Sequence, residues 1–215
     1  MGFIQANSKF RILMIIFILF FFLTKMNNSG LIMAQNKKTE SITLGSGCFW
    51  CTEAVFQNLR GIISTVSGYS GGTIENPTYE DVCSGTTNYA EVIQVTFNSD
   101  EISLPEILEV FWKTHDPTTL NRQGNDVGTQ YRSVIFYHNE NQKKIATELK
   151  QKLEEEKIYN KPIVTEISEF KNFYKAENYH QNYYNQNKNK PYCSFVITPK
   201  VEKFKKIFSD KLKER

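Results

Sequence analysis

Polar and apolar positions alternate along residues 90–97, with Glu91, Ile93, Val95 and Phe97 on one face and Val92, Gln94 and Thr96 on the other. A period of two is the spacing of a strand, and these faces predict one buried side. Shorter apolar, β-branched runs at Ser41–Leu44, Ile62–Val66, Tyr131–Tyr137 and Ile163–Ile167 read as further strands. Helical spacing appears in four other places. Val55, Phe56 and Leu59 turn one way within Thr52–Leu59, and Leu104, Ile107, Leu108, Phe111 and Trp112 form a second stripe. Ile145, Leu149 and Leu153 mark a third helix over 141–156, and Val201, Phe204, Phe208 and Leu212 a fourth over 201–212. Ser103-x-x-Glu106 is a capping box for the second helix, and Asp116-Pro117 ends it. Gly68–Gly72, Asn76-Pro77 and Gln123–Thr129 read as loops, followed later by a tyrosine-rich stretch at 173–184 and a short run at 193–197. Strands and helices mix without a strict βαβ repeat. The expected fold is α+β, a two-layer sandwich with helices packed on a mixed, mainly antiparallel sheet.

The N-terminus has its own pattern. Its first 39 residues contain no acid, and thirteen uncharged residues run between Arg11 and Lys25. A membrane-spanning helix needs about 20. A basic start, a short apolar run, polar Asn27–Ser29 and small Ala34 have the layout of a secretory signal peptide. Cleavage is expected after Ala34, with an uncleaved anchor as the alternative. Residues 1–34 are thus a leader, 35–40 a lead-in and 41–215 one domain. Its expected place is extracytoplasmic, periplasmic or secreted, and at the membrane if the leader is retained. Without the leader's three basic residues the chain has 23 Lys+Arg against 23 Asp+Glu, so its net charge of +3 comes from the leader. Nothing in that balance points to nucleic acid.

The candidate chemistry centres on Gly45–Phe56. Two glycines make a turn, and Cys48 stands where a helix begins. Free N–H groups and the positive end of the helix dipole favour thiolate there. Phe49 and Trp50 place an apolar wall beside it, and Cys51 follows about one helical turn later. Buried free cysteines are common, but the glycines before and the aromatics between favour a redox or nucleophilic site. Glu91 opens the alternating strand on its apolar face. There, desolvation would raise its pKa and make it a general acid, unless the strand end leaves it at the solvent rim. Tyr79, Tyr131 and Asp126, taken singly, read as structural. His115, His138 and His180 lack metal-ligand spacing, and the cysteines make a poor zinc set, so no metal is expected. His115 reads as a helix cap, Cys83 as a buried small residue, and Cys193, after a polar approach, as reachable by solvent.

Gly47-Cys48-Phe49-Trp50 resembles the signature of the A-type peptide methionine sulfoxide reductases. The likeness continues through Gly68–Gly72, Asn76–Gly85, Ala90-Glu91, Phe111-Trp112, His115–Pro117, Arg122–Asp126, Gly128–Ser133, Ala176-Glu177 and His180-Gln181. These blocks keep their order over most of 42–197. The resemblance implies reduction of the S-epimer of methionine sulfoxide, free or in oxidised proteins, by a single catalytic domain. It makes Cys48 the nucleophile and Glu91 the acid that protonates the sulfoxide oxygen. Tyr79, Tyr131 and Asp126 would hold that oxygen or its water, and Phe49 and Trp50 the substrate methyl group. A sulfenic acid on Cys48 would condense with a second thiol, and thioredoxin or a similar dithiol would reset the enzyme. No metal or organic cofactor is implied, and a monomer is expected.

The chain departs from the pattern at the second thiol. Many members have glycine at the position of Cys51 and resolve with a cysteine in a glycine-rich tail, whereas this tail reads Pro191–Ile197 around Cys193. Cys51 and Cys193 are both candidates. Phe195, Val196 and Ile197 read as packed, which favours Cys51. Two other classes compete: a general thiol–disulfide oxidoreductase, with no need for Glu91, and a non-enzymatic exported domain bridged at Cys48–Cys51 or Cys83–Cys193.

Overall fold

The structure, a computed structural model, describes residues 38–214. The apolar run at 12–24 and the cleavage position after Ala34 lie outside those residues. The described strands are β1 (Thr39–Ser46), β2 (Ile62–Ser70), β3 (Ala90–Asn98), β4 (Arg122–Gln123), β5 (Asp126–Val127), β6 (Ser133–Tyr137), β7 (Glu166–Glu169) and β8 (Tyr174–Lys175). The α-helices are α1 (Phe49–Phe56), α2 (Tyr79–Cys83), α3 (Leu104–Thr114), α4 (Glu140–Glu155), α5 (Tyr183–Gln186) and α6 (Thr198–Ile207). Six strands form one sheet in the order β7-β6-β1-β3-β2-β8, antiparallel throughout except for the parallel β6–β7 pair. The α+β class and the mixed, mainly antiparallel sheet are those expected.

The sheet's principal face carries Ile42, Leu44, Ile93, Val95 and Phe97, which join one core with Phe49, Val55 and Phe56 of α1, Ile107, Leu108 and Phe111 of α3, and Val201 and Phe204 of α6. Removing a side chain of this size from water contributes about 1.5–3 kcal/mol. Helix α1 is buried nearly all round, with Trp50 alone half-exposed. It has no side-chain N-cap, so packing rather than capping holds its two turns. The opposite face buries Ala90, Val92, Val134 and Phe136 beneath Phe170 and Phe173. Strand β3 is therefore covered on both sides at its start, where one buried side was expected.

Several boundaries differ from the sequence reading. Strand β1 starts at Thr39, taking two residues of the expected lead-in, and β2 continues through Gly68 to Ser70. Gly68 fits because a side chain there would collide with the Phe173 ring. Tyr131 closes a 3₁₀ turn (Thr129–Tyr131), with β6 starting only at Ser133. Strand β7 begins at Glu166, later than the expected Ile163, and α6 ends at Ile207 before a 3₁₀ turn over Ser209–Lys211. The 193–197 run is a π-helical turn leading into α6.

Candidate active site

Register places the site. Leu44 pairs with Ile93 and Tyr69 with Glu91, so β1 ends beside the start of β3. Gly47 then turns the chain at φ +92°, and a side chain there would strike Gln123. Cys48 follows as N-cap of α1, its carbonyl accepting from the N–H groups of Cys51 and Thr52 at 3.1 and 3.3 Å. This turn sets the Phe49 N–H against the Glu91 carboxylate, at 3.0 Å from Oε2. Glu91 is 1% exposed; the interior placement wins over the solvent rim. Burial raises its pKa to about 8, outweighing the Phe49 N–H, with the charges of Asp126 and Cys51 adding to the rise. Glu91 is thus neutral at pH 7 and able to donate a proton.

Three short elements bring the other expected residues around this pair. Helix α2 is nucleated by a Thr78–Asp81 capping box, and the Tyr79 N–H donates to Glu177 Oε1 at 3.0 Å. The phenols of Tyr79 and Tyr131 are both pushed upward by burial and by the charge of Glu91, and Tyr131 also by that of Cys48. Both therefore stay protonated donors. The β4–β5 hairpin presents Asp126, whose Oδ2 accepts from the Tyr192 hydroxyl at 2.9 Å. Tyr192 also lies 3.9 Å from Cys51 Sγ. All five expected catalytic residues and the Phe49–Trp50 wall thus converge on one place.

The thiols correct two expectations. All four cysteines are free. Burial pushes the Cys48 thiol up, while Cys51 is pulled down to about 6, chiefly by the hydrogen bond from Cys48 and then by Lys200 and Tyr192. The two thiols are linked through that hydrogen bond, and the Lys200 charge acts on the Cys51 side of the pair. Cys83 is exposed at the end of α2, not buried, and its thiol faces the Tyr79 hydroxyl. Cys193 is 0% exposed, not solvent-reachable, whereas Phe195 is 78% and Val196 38% exposed. The π turn sends Cys193 and Ile197 inward, as expected for Ile197 alone, and turns Phe195 and Val196 outward where packing was expected.

The family model described as peptide methionine sulfoxide reductase matches residues 40–212. The chain belongs to this family, in its A type. The peptide methionine sulfoxide reductase MsrA of Saccharolobus solfataricus is 60% identical over 174 residues, 81% of this chain and 97% of that protein. The MsrA of Trichodesmium erythraeum is 53% identical, covering 80% and 98%. Among solved structures, the reduced form of Mxr1 from Saccharomyces cerevisiae superposes with a TM-score of 0.68 at 38% identity, covering 77% of this chain and 95% of that one. The methionine sulfoxide reductase A of Corynebacterium diphtheriae gives 0.63 at 35%, covering 72% and 77%.

The reductase site also contains residues that pattern and composition passed over. Trp50 is sandwiched: its ring stacks on Tyr183 at 3.7 Å and 7°, while Nε1 donates to His180 Nδ1 at 3.1 Å. Because that nitrogen accepts, the imidazole carries its proton on Nε2, and burial keeps it neutral by lowering its pKa. Glu177 ties the wall to the sheet by accepting from Tyr69 OH at 2.8 Å as well as from Tyr79. The tyrosine-rich stretch at 173–184 was the available signal, but eleven tyrosines gave no ground for selecting among them.

Proposed function

We propose that the chain reduces the S-epimer of methionine sulfoxide, free and in oxidised proteins, to methionine. The observation that carries this reading is the neutral Glu91 carboxyl held against the backbone N–H of the residue following Cys48. Sulfoxide oxygen leaves poorly unless protonated, and Glu91 supplies that proton beside the attacking sulfur. Cys48 transfers its own proton to Cys51 and attacks the sulfoxide sulfur as thiolate. Tyr79, Tyr131 and Asp126 hold the oxygen or its water, while Phe49 and Trp50 enclose the methyl group. Fixing the oxygen and the methyl of a chiral sulfur leaves one epimer able to present that sulfur to Cys48.

In the first half-reaction the oxygen passes to Cys48, giving a sulfenic acid and methionine. A second thiol, Cys51 in this proposal, displaces water to form a disulfide. A dithiol of the thioredoxin class then returns both cysteines to thiols and leaves as a disulfide. The steps balance without a metal or organic cofactor. The proposed setting is extracytoplasmic, on the strength of the leader, and the proposed working unit is a monomer.

The test supplies the reduced protein with each resolved epimer and measures methionine formed against thiols lost. The S-epimer should give methionine with the loss of two thiols per product, while the R-epimer should give none. Equal turnover of both epimers, or thiol loss without methionine, would overturn the proposal. The second outcome would favour a general thiol–disulfide oxidoreductase.

A further inference from the structure

Glu53 has no part in the chemistry above, yet it is 2% exposed at the centre of α1. A carboxylate so placed needs donors. Its side chain faces the backbone N–H groups of Asn182 and Tyr183. Asn182 is the N-cap of α5 and holds a left-handed φ of 52°, a conformation that asparagine adopts more readily than other residues with side chains. The next residue, Tyr183, lies flat on Trp50 at 3.7 Å. Trp50 and Glu53 are three apart on one helix and so share a face. The 182–183 turn is thus gripped twice by α1, at its backbone by Glu53 and at its ring by Trp50.

We propose that Glu53 is a positioning residue for the sulfoxide pocket, its carboxylate fixing the Asn182–Tyr183 turn so that Tyr183 holds Trp50 as the wall for the substrate methyl group. This rests on the reading of Trp50 as pocket wall given above. Burial raises the Glu53 pKa to about 7 against the pull of the two backbone N–H groups. Above pH 7 both oxygens accept. Below it one becomes a hydroxyl facing N–H groups, and the turn loosens. The titratable and charged side chains on the elements packed here are Cys51 beside it on α1, with Cys48 at the N-cap, Tyr69 on β2, Glu91 on β3, Lys200 on α6, and Glu177, His180, Tyr183 and Tyr184 on the opposing segment. Cys51 is drawn to about 6 and Glu91 raised to about 8, so loss of the transition in Glu53→Gln is what assigns it to Glu53.

The experiment follows tryptophan emission against pH in the full chain, with KM and kcat for free methionine sulfoxide, in the parent, Glu53→Gln and Glu53→Asp. Trp112, the other tryptophan, packs on His115, which burial holds at about 4, and Trp50→Phe identifies the Trp50 signal. The parent should show an emission transition near pH 7, with KM rising as pH falls through it and kcat little changed. Glu53→Gln should lose the transition and raise KM about fivefold to tenfold at pH 8, as for lost ground-state positioning. A transition retained in Glu53→Gln, or a KM there within twofold of the parent, would overturn the proposal. If Glu53→Gln does not fold, Glu53→Asp, one methylene shorter, replaces it: a midpoint unchanged from the parent overturns the proposal and a shifted midpoint supports it. Absence of sulfoxide reduction in every protein would fail the reading of function, while the emission transition would still decide the link from Glu53 to Trp50.

Discussion

The N–H of Phe49 donates to Glu91 Oε2 at 3.0 Å, joining the residue after the nucleophile to the candidate acid. One hydrogen bond opposes the desolvation of a fully enclosed carboxyl and loses to it, since Glu91 is raised to about 8. The bond orients the acid without ionising it. A second backbone donor would push the carboxyl toward its charged form.

The pH dependence of the first half-reaction follows from that balance. Glu91 must be protonated to deliver a proton, and with its pKa near 8 the acid form is present below that pH and lost above it. The single-turnover rate of methionine release should therefore fall as pH rises through about 8. Glu91→Gln should lower that rate by roughly 10²–10⁴-fold and abolish the alkaline fall. An unchanged single-turnover rate would remove Glu91 from the mechanism.

Tyr192 separates the two half-reactions. Its hydroxyl donates to Asp126 Oδ2 and lies near Cys51 Sγ, and its hydrogen bonding lowers the pKa of both Cys51 and Cys48. Tyr192→Phe should raise the pH at which thiolate ultraviolet absorbance appears. It should also slow disulfide formation more than methionine release. Rapid-quench measurement of both products checks this; equal slowing of the two would place Tyr192 with the substrate instead.

The sequence made the sheet's central strands and the candidate nucleophile Cys48 legible because each carried a local signal. Period-two alternation marked β3, and Gly47-Cys48-Phe49-Trp50 marked the turn into α1. Glu91 was visible only as two even possibilities, since whether a strand-end carboxylate is buried depends on what crosses above it, here α1. Cys83 and Cys193 depart from expectation in opposite directions, Cys83 because residue type alone suggests burial and Cys193 because its approach is polar. Flanking polarity predicts exposure only when the backbone conformation is known, and the π turn of Cys193–Ile197 rotates an apolar Phe195 outward and Cys193 inward. Tyr183 and His180 gain their roles from Trp50, more than a hundred residues earlier, and no local pattern carries that pairing.

Location is tested at the N-terminus. A basic start, a run of thirteen uncharged residues and Ala34 predict removal of the leader on export. N-terminal sequencing of the protein from its native source should begin near Gln35, in an extracytoplasmic fraction. An intact Met1 in a membrane fraction would support the uncleaved anchor, and an intact Met1 in soluble cytosol would reject export.

The last prediction concerns the thiol that resolves the sulfenic acid. A disulfide requires Cα atoms usually about 4.4–6.8 Å apart. Cys48 and Cys51 meet that within the first turn of α1, where the Cys51 N–H already donates to the Cys48 carbonyl. Lys200 and the Tyr192 hydroxyl favour the Cys51 thiolate, whereas burial raises Cys193. A thiol one helical turn from the sulfenic acid should condense before a buried thiol on another segment. Cys193 nonetheless directly follows Tyr192, which reaches Cys51, and π turns recur at functional sites. Unwinding Cys193–Ile197 would let Cys193 take over the bridge from Cys51 and carry it outward. Multiple turnover with a thioredoxin system distinguishes these orders. Cys51→Ser should stop after roughly one equivalent of methionine, with the sulfenic acid trapped on Cys48. Cys193→Ser should keep cycling, more slowly if the second exchange normally presents the bridge to the reductant. If Cys193→Ser is the variant that stops and Cys51→Ser cycles, Cys193 resolves directly and the charge on Cys51 serves only to deprotonate Cys48.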